Sequence, residues 1–274
     1  MTESLRPLRI AIVGAGQIGS AFAYQLARLG RHDVTVVARR DSTRLQQLRR
    51  DGAIIDVKGE RAPVSIADSL DETVPYDLVI VALLAHQSNA VLPDLQRSRA
   101  ACILFMGNTF DAERRLAVGV ERCAYGMPFV QAVLNAEGRL KGTIGAGGQK
   151  SIVSQRRCVD IFNSAGLPAV LQANMPLWLR CHVPLCVAFE SVSVAGVKRG
   201  GGASWQESLI LARGVRASFK LIRALGYHLY PRTKRRIAGS PTAAIAAALW
   251  FVSRIRSFRE LLATGKAEAC ALTG

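Results

Sequence analysis

The sequence predicts an α/β fold, with a Rossmann-type doubly wound parallel sheet over residues 1–166 and a mostly α-helical domain over 167–274. Three observations predict it. Short β-branched runs alternate with stretches of helical spacing as far as residue 150. A glycine cluster, Val13-Gly14-Ala15-Gly16-Gln17-Ile18-Gly19, joins the first run to the first helical stretch. Beyond residue 150 strand signals nearly vanish and long helical segments take over.

The elements follow in order. LRIAIV (8–13) is a β-rich run. SAFAYQLARLG has helical spacing at Phe22, Leu26 and Leu29 and stops at Gly30. DVTVVARR supplies a second strand, which completes a βαβ unit. Residues 42–51 read as helix, and 53–56 and 63–66 as short strands. YDLVIVALL (76–84) is continuously apolar, as a strand buried on both faces must be. SNAVLPDLQRS reads as a helix despite Pro93, and ACILFMGN (101–108) as another buried strand. Residues 122–129 and 141–145 are candidate late strands, with GRLKG as a hairpin-like approach. Helical segments are then expected at 151–164, 175–196, 204–225, 240–255 and 258–271, with a short strand at 169–172.

Composition narrows the function classes. Half of the 274 residues are hydrophobic and a fifth are charged, which suits a packed core and excludes a disordered chain. The six cysteines form no CxxC pair and no zinc ladder, so no metal is expected, only thiols in a reducing cytosol. The apolar run Ala243 to Val252 is too short to span a bilayer, and the expectation is a soluble cytoplasmic protein. The net charge of +16 admits an anionic partner without choosing one. The cluster Arg232, Lys234, Arg235 and Arg236 reads as a solvated face. Nucleic acid is the weakest partner class, because no reader motif and no aromatic interleaving accompany the charge.

The glycine cluster carries chemistry. Gly14 makes the tight turn, Gly16 lets backbone approach a pyrophosphate, and Gly19 lets the helix pack on the strand. The N–H groups and positive dipole end of the following helix face the phosphates. An acid at the end of the second strand would accept from the ribose hydroxyls of NAD; here Arg39-Arg40 stand instead. A guanidinium pairs with a 2′-phosphate, so NADP(H) is the expected cofactor, with NAD the alternative that Asp41 keeps open.

GAGQIGSAFAYQLARLG, DVTVVARR, DLVIVALLAHQ and the FMGN turn together resemble the ketopantoate reductase family. The resemblance implies an NADP-binding Rossmann domain followed by a helical domain, an active site in the cleft between them, and reduction of 2-dehydropantoate on the route to pantothenate. It implies cofactor contacts at Gly14, Gly16, Gln17, Ile18, Gly19, Arg39 and Arg40. The family's functional lysine after the fourth strand falls at Leu84, and its nicotinamide-side asparagine at Asn108. The family's helix WxKxxxNxxxN falls on Trp178 to Ala188, with Arg180 for the proton-donating lysine and Pro184 and Ala188 for the asparagines. Ser257 matches a substrate-binding serine, and Glu268 matches the acid of a terminal turn. The helical half is expected to carry the substrate contacts and any homodimer contact.

These departures change the expected chemistry. An arginine, with a pKa above ~12, holds a carboxylate but does not give up a proton. His182 is the nearest substitute acid, yet it lies about 200° around the helix from Arg180, which reads as a core histidine. His86 follows the fourth strand, where ligands of open sheets sit; a loop histidine and a nicotinamide-side residue are both open there. The expected function is reduction of a 2-keto acid or related carbonyl with NADPH, with Arg180 and His86 as the candidate catalytic residues. The alternative is an NADP-binding sensor that has lost catalysis.

Overall fold

The computed structural model describes residues 6–145 and 148–263. They divide after Met175 into two compact units.

The first unit is built on an eight-stranded sheet. In chain order its elements are β1 (Arg9–Val13), α1 (Gln17–Arg28), β2 (Asp33–Val37), α2 (Thr43–Asp51), β3 (Ala53–Ile55), β4 (Arg61–Pro63), β5 (Ser65–Ala67), β6 (Leu78–Val81), α3 (Ala85–Ala90), α4 (Leu92–Arg97), β7 (Ile103–Met106), β8 (Cys123–Met127), β9 (Val130–Leu134), β10 (Leu140–Ile144), β11 (Ser151–Val153), α5 (Arg156–Ser164) and β12 (Ala169–Leu171). The sheet order is β12-β11-β8-β7-β6-β1-β2-β5. All neighbours pair in parallel except β8 with β11. β1 sits in the middle, with β2 on one side and β6 on the other. The strand order therefore reverses between β1 and β6, the place where open α/β sheets bind ligands.

Burial explains why these runs are strands. Every residue of β6 and β7 is buried, as are Ile10 to Val13 of β1. α1 turns Phe22 and Leu26 into the core, where the Phe22 and Phe162 rings meet at 5.0 Å. α2 is capped at both ends: the Leu45 N–H donates to the Ser42 hydroxyl, and Gly52 takes the left-handed conformation.

Several expectations are corrected here. Residues 151–153 are not helix: they form β11, which pairs with β8 and β12, and α5 begins only at Arg156. The run VQAVL (130–134) is an additional strand, paired with β10 in a two-stranded hairpin. The stretch around Pro93 is two short helices, with the proline in the first turn of α4. Of the two short strands expected between 53 and 66, the first pairs with β4 outside the main sheet, and β5 alone joins it. β12 belongs to the sheet, so the first unit runs to Met175.

The second unit contains α6 (Met175–Lys198), α7 (Trp205–Ala224), α8 (Arg232–Gly239), α9 (Thr242–Val252) and α10 (Arg256–Ala263). α6 runs unbroken through Pro184. By length and composition it could cross a membrane, but Leu177, Leu179, Cys181, Leu185, Ala188 and Val192 are buried, as in a core helix. Ser204 caps α7, accepting from the Glu207 N–H while the Glu207 carboxylate accepts from the Ser204 N–H and from Arg199. α7 packs along α9, and Phe189 meets Phe258 edge-on at 5.8 Å. α8 is a helix where the sequence suggested only a charged surface. Glu268 lies outside the described residues.

Candidate cofactor and substrate site

The turn after β1 shows three glycines with three separate reasons. Gly14 has φ +107°, and its N–H donates to the Val37 carbonyl over 3.0 Å. A Cβ there would lie 2.6 Å from the Ala82 carbonyl oxygen and 2.7 Å from Leu83 Cδ2, so the turn is pressed against the end of β6. A Cβ on Gly19 would lie 1.9 Å from the Gly14 carbonyl oxygen, so α1 can sit on the turn only with glycine there. Gly16 is different, because a Cβ there would meet nothing within 4 Å. It is exposed, it precedes α1, and it faces open space between two tightly packed neighbours.

That space is an anion cradle by its chemistry. α1 has no side-chain cap and no acid in its first turn. Its first N–H groups, at Gln17, Ile18 and Gly19, precede any intrahelical acceptor and carry the positive end of the helix dipole. Ser20 closes the back of the turn, its hydroxyl donating to the Ala15 carbonyl over 3.1 Å and accepting from Arg44 over 3.1 Å. The residues present fit the pyrophosphate of a dinucleotide.

At the end of β2 the two arginines part. Arg40 donates from Nε to Oδ2 of Asp68 over 3.2 Å, and Arg49 reaches the same oxygen over 3.3 Å. These cations hold the Asp68 carboxyl below the usual carboxylate range, with the Arg40 hydrogen bond the largest cause. The Arg39 side chain is exposed and has no hydrogen bond or ion pair among the described residues. Asp68, which follows β5, was missed in the sequence; an acid just past a strand beside β2 was its only signal.

At the other side of the switch point, Leu84 is 64% exposed where a buried apolar position would be ordinary. His86 is exposed in the first turn of α3. Asn108 follows β7, and its Oδ1 is buried without a hydrogen-bond partner among the described residues. An orphaned buried acceptor costs on the order of 1–3 kcal/mol unless a donor arrives. The carboxamide of a nicotinamide is such a donor, so this oxygen also fits the cofactor.

In the helical unit, Arg180 is 5% exposed, with its guanidinium over the Tyr227 ring at 4.0 Å. Trp178 and His182 stack at 4.3 Å, and His182 Nε2 lies 2.9 Å from the Cys186 sulfur. Burial, with Lys234 as a second cause, pushes the His182 pKa down to about 4, so the ring is neutral near pH 7. Lys234 is the unforeseen member. The sequence placed it on a solvated basic face, but it is half-buried and lies near Cys181 and Cys186, and burial lowers its pKa. Ser257 is exposed on α10.

The reversal between β1 and β6, the glycine turn and the helix N-terminus that follows it define a Rossmann-type fold of the dinucleotide-binding class. Residues 10–153 match the family model described as ketopantoate reductase PanE/ApbA. The chain belongs to the ketopantoate reductase family. A 2-dehydropantoate 2-reductase of Bacillus subtilis is 34% identical over 103 residues, 37% of this chain and 33% of that protein. The chain thus aligns with about a third of the length of the curated relatives it matches. Among solved structures, 2-dehydropantoate 2-reductase from Porphyromonas gingivalis superposes with a TM-score of 0.65 at 14% identity, over 93% of this chain and 98% of that one. The ternary structure of D-mandelate dehydrogenase with NADH and anilino(oxo)acetate gives 0.69 at 18% identity, over 95% and 84%. These likenesses fit the fold, with its parallel sheet followed by helices.

Proposed function

We propose that the chain is an NADPH-dependent oxidoreductase that reduces a 2-keto acid or a related carbonyl. One observation carries the reading: Gly16 faces open space while Gly14 and Gly19 are packed to contact. A turn shaped only for stability would have no need to leave its middle glycine bare at an uncapped helix N-terminus. Arg39 stands ready for a 2′-phosphate, and the Asn108 oxygen for a carboxamide. The curated relatives, named as 2-dehydropantoate 2-reductases, support reduction of a carbonyl, and the dehydrogenase solved with NADH shares the fold.

NADPH, when bound, supplies the hydride. The chain's own residues bind and orient. Arg180 holds the substrate carboxylate: Tyr227 takes one face of the guanidinium, and its N–H donors lie in the plane in which a carboxylate is gripped. Ser257 and Glu268 supply further substrate contacts by resemblance. Arg180 does not act as the acid, since a guanidinium does not give up its proton near neutral pH; solvent water delivers the proton. Pro184 and Ala188 replace the family's asparagines, which favours a substrate other than 2-dehydropantoate itself.

A second reading, an NADP-binding sensor without catalysis, is favoured by the exposed Leu84 where the family's lysine stands. NADPH binding followed by intrinsic fluorescence tests both readings. A panel of 2-keto acids, followed by nicotinamide absorbance, separates them: turnover abolished by Arg180→Ala supports the reductase, and binding without turnover supports the sensor.

A further inference from the structure

The geometry points to Cys186 as a reactive thiol, a modification site for small soft carbon electrophiles, activated by His182 on its own helix and Lys234 of α8.

Four of the five cysteines among the described residues (Cys102, Cys123, Cys158 and Cys181) are buried; Cys186 is only partly so. Its sulfur lies 2.9 Å from His182 Nε2, a distance at which an Nε2–H donates to the sulfur and favours its thiolate. The imidazole is held in place by the Trp178 stack. The start of α8 lies beside this part of α6. The Tyr230 N–H donates to the Cys181 sulfur over 3.4 Å, and Lys234, one turn later, is half-buried near both thiols. A partly exposed thiol beside a histidine and a cation is the setting in which cysteines become nucleophiles.

The surrounding charge agrees. Residues 176–274 contain four acids and no aspartate, against fifteen lysines and arginines. Glu190 is the single carboxylate of α6, one turn beyond Cys186, and acts in the opposite sense. Arg180 lies on another side of the helix, over Tyr227. Cys181 does not serve as a disulfide partner: five helical positions separate the two Cα atoms by more than about 7 Å. The chemistry left to Cys186 is capping by an external electrophile. With an α-halo amide, the sulfur lone pair forms the S–C bond, the carbon–halogen bond breaks, and halide leaves. The thiol proton goes to solvent.

The test is the rate of carbamidomethylation by iodoacetamide, read for each cysteine by peptide mass spectrometry between pH 5.5 and 9.5. Cys186 is expected to react with a midpoint at least about one pH unit below the ordinary thiol value of about 8.5, and so about tenfold faster at pH 7 than the same residue in the guanidinium-unfolded chain. His182→Phe keeps a ring against Trp178 and removes the nitrogen; Lys234→Gln removes the cation. Each is expected to slow Cys186 at pH 7 at least about threefold and to raise its midpoint. If either variant fails to fold, the wild-type midpoint decides. A wild-type midpoint at or above the ordinary thiol value overturns the assignment, as does a rate unchanged in both folded variants.

Discussion

Arg40 is anchored by Asp68: its Nε lies 3.2 Å from Oδ2, and the carboxylate is shared with Arg49. The neighbouring Arg39 is therefore the arginine available to a ligand at the end of β2. Arg39→Ala should weaken NADPH binding about tenfold, the worth of one charge-assisted contact at an exposed site, and leave NADH nearly unchanged. Arg40→Ala should cost less than Arg39→Ala. Titration of both nucleotides into both variants checks the order, and an equal loss of NADPH and NADH would refute the 2′-phosphate role.

The three glycines should separate by phenotype. Gly16→Ala enters open space at ordinary backbone angles, so it should melt within a few degrees of wild type yet bind NADPH at least about tenfold more weakly. Gly19→Ala drives a methyl into the Gly14 carbonyl and should cost at least about 3 kcal/mol of stability. Thermal melting beside nucleotide titration reads both. A destabilised Gly16→Ala that still binds would reverse the assignment.

His182 predicts an acid-side loss of stability. Its folded pKa, about 4, lies below the unfolded value of 6.5, chiefly through burial. The unfolded chain therefore takes up the proton first. The stability in question is fully present above about pH 6.5 and is lost as pH falls towards 4. The loss is on the order of 3 kcal/mol, at 1.36 kcal/mol per pH unit. Denaturant unfolding at pH 7.5 and 4.5 should show a larger drop for wild type than for His182→Phe.

Arg180 should bind without titrating. Arg180→Ala should lower kcat/KM for a 2-keto acid at least about tenfold, and the acid limb of the wild-type profile should not follow this residue, because a guanidinium does not exchange its proton there. Arg180→Lys restores an acid that can release a proton, so it should add a basic-side pH dependence that wild type lacks. Steady-state profiles of the two enzymes decide.

The legibility of the fold followed burial. LVIV and ILFM could be read as central strands because a strand covered on both faces must be apolar throughout. Residues 151–153 could not, because three residues ahead of a helical pattern carry no period of their own, and their pairing with β8 is a long-range fact. In the site, the glycine turn was legible because its spacing is fixed by backbone sterics. The division between Arg39 and Arg40 was not: it depends on Asp68, brought alongside by β5. Lys234 was illegible for a related reason. Among Arg232, Arg235 and Arg236 it reads as one more surface charge, and only its placement near Cys181 and Cys186 of α6 buries it in part.

The most direct measurement is equilibrium binding of NADPH to the full chain and to Gly16→Ala, by intrinsic fluorescence or calorimetry. Saturable binding of NADPH below about 1 mM, at least about tenfold tighter than NADH and lost in a folded Gly16→Ala, is the predicted result. Absence of saturable binding of either nucleotide to the wild-type chain at that concentration would contradict the account.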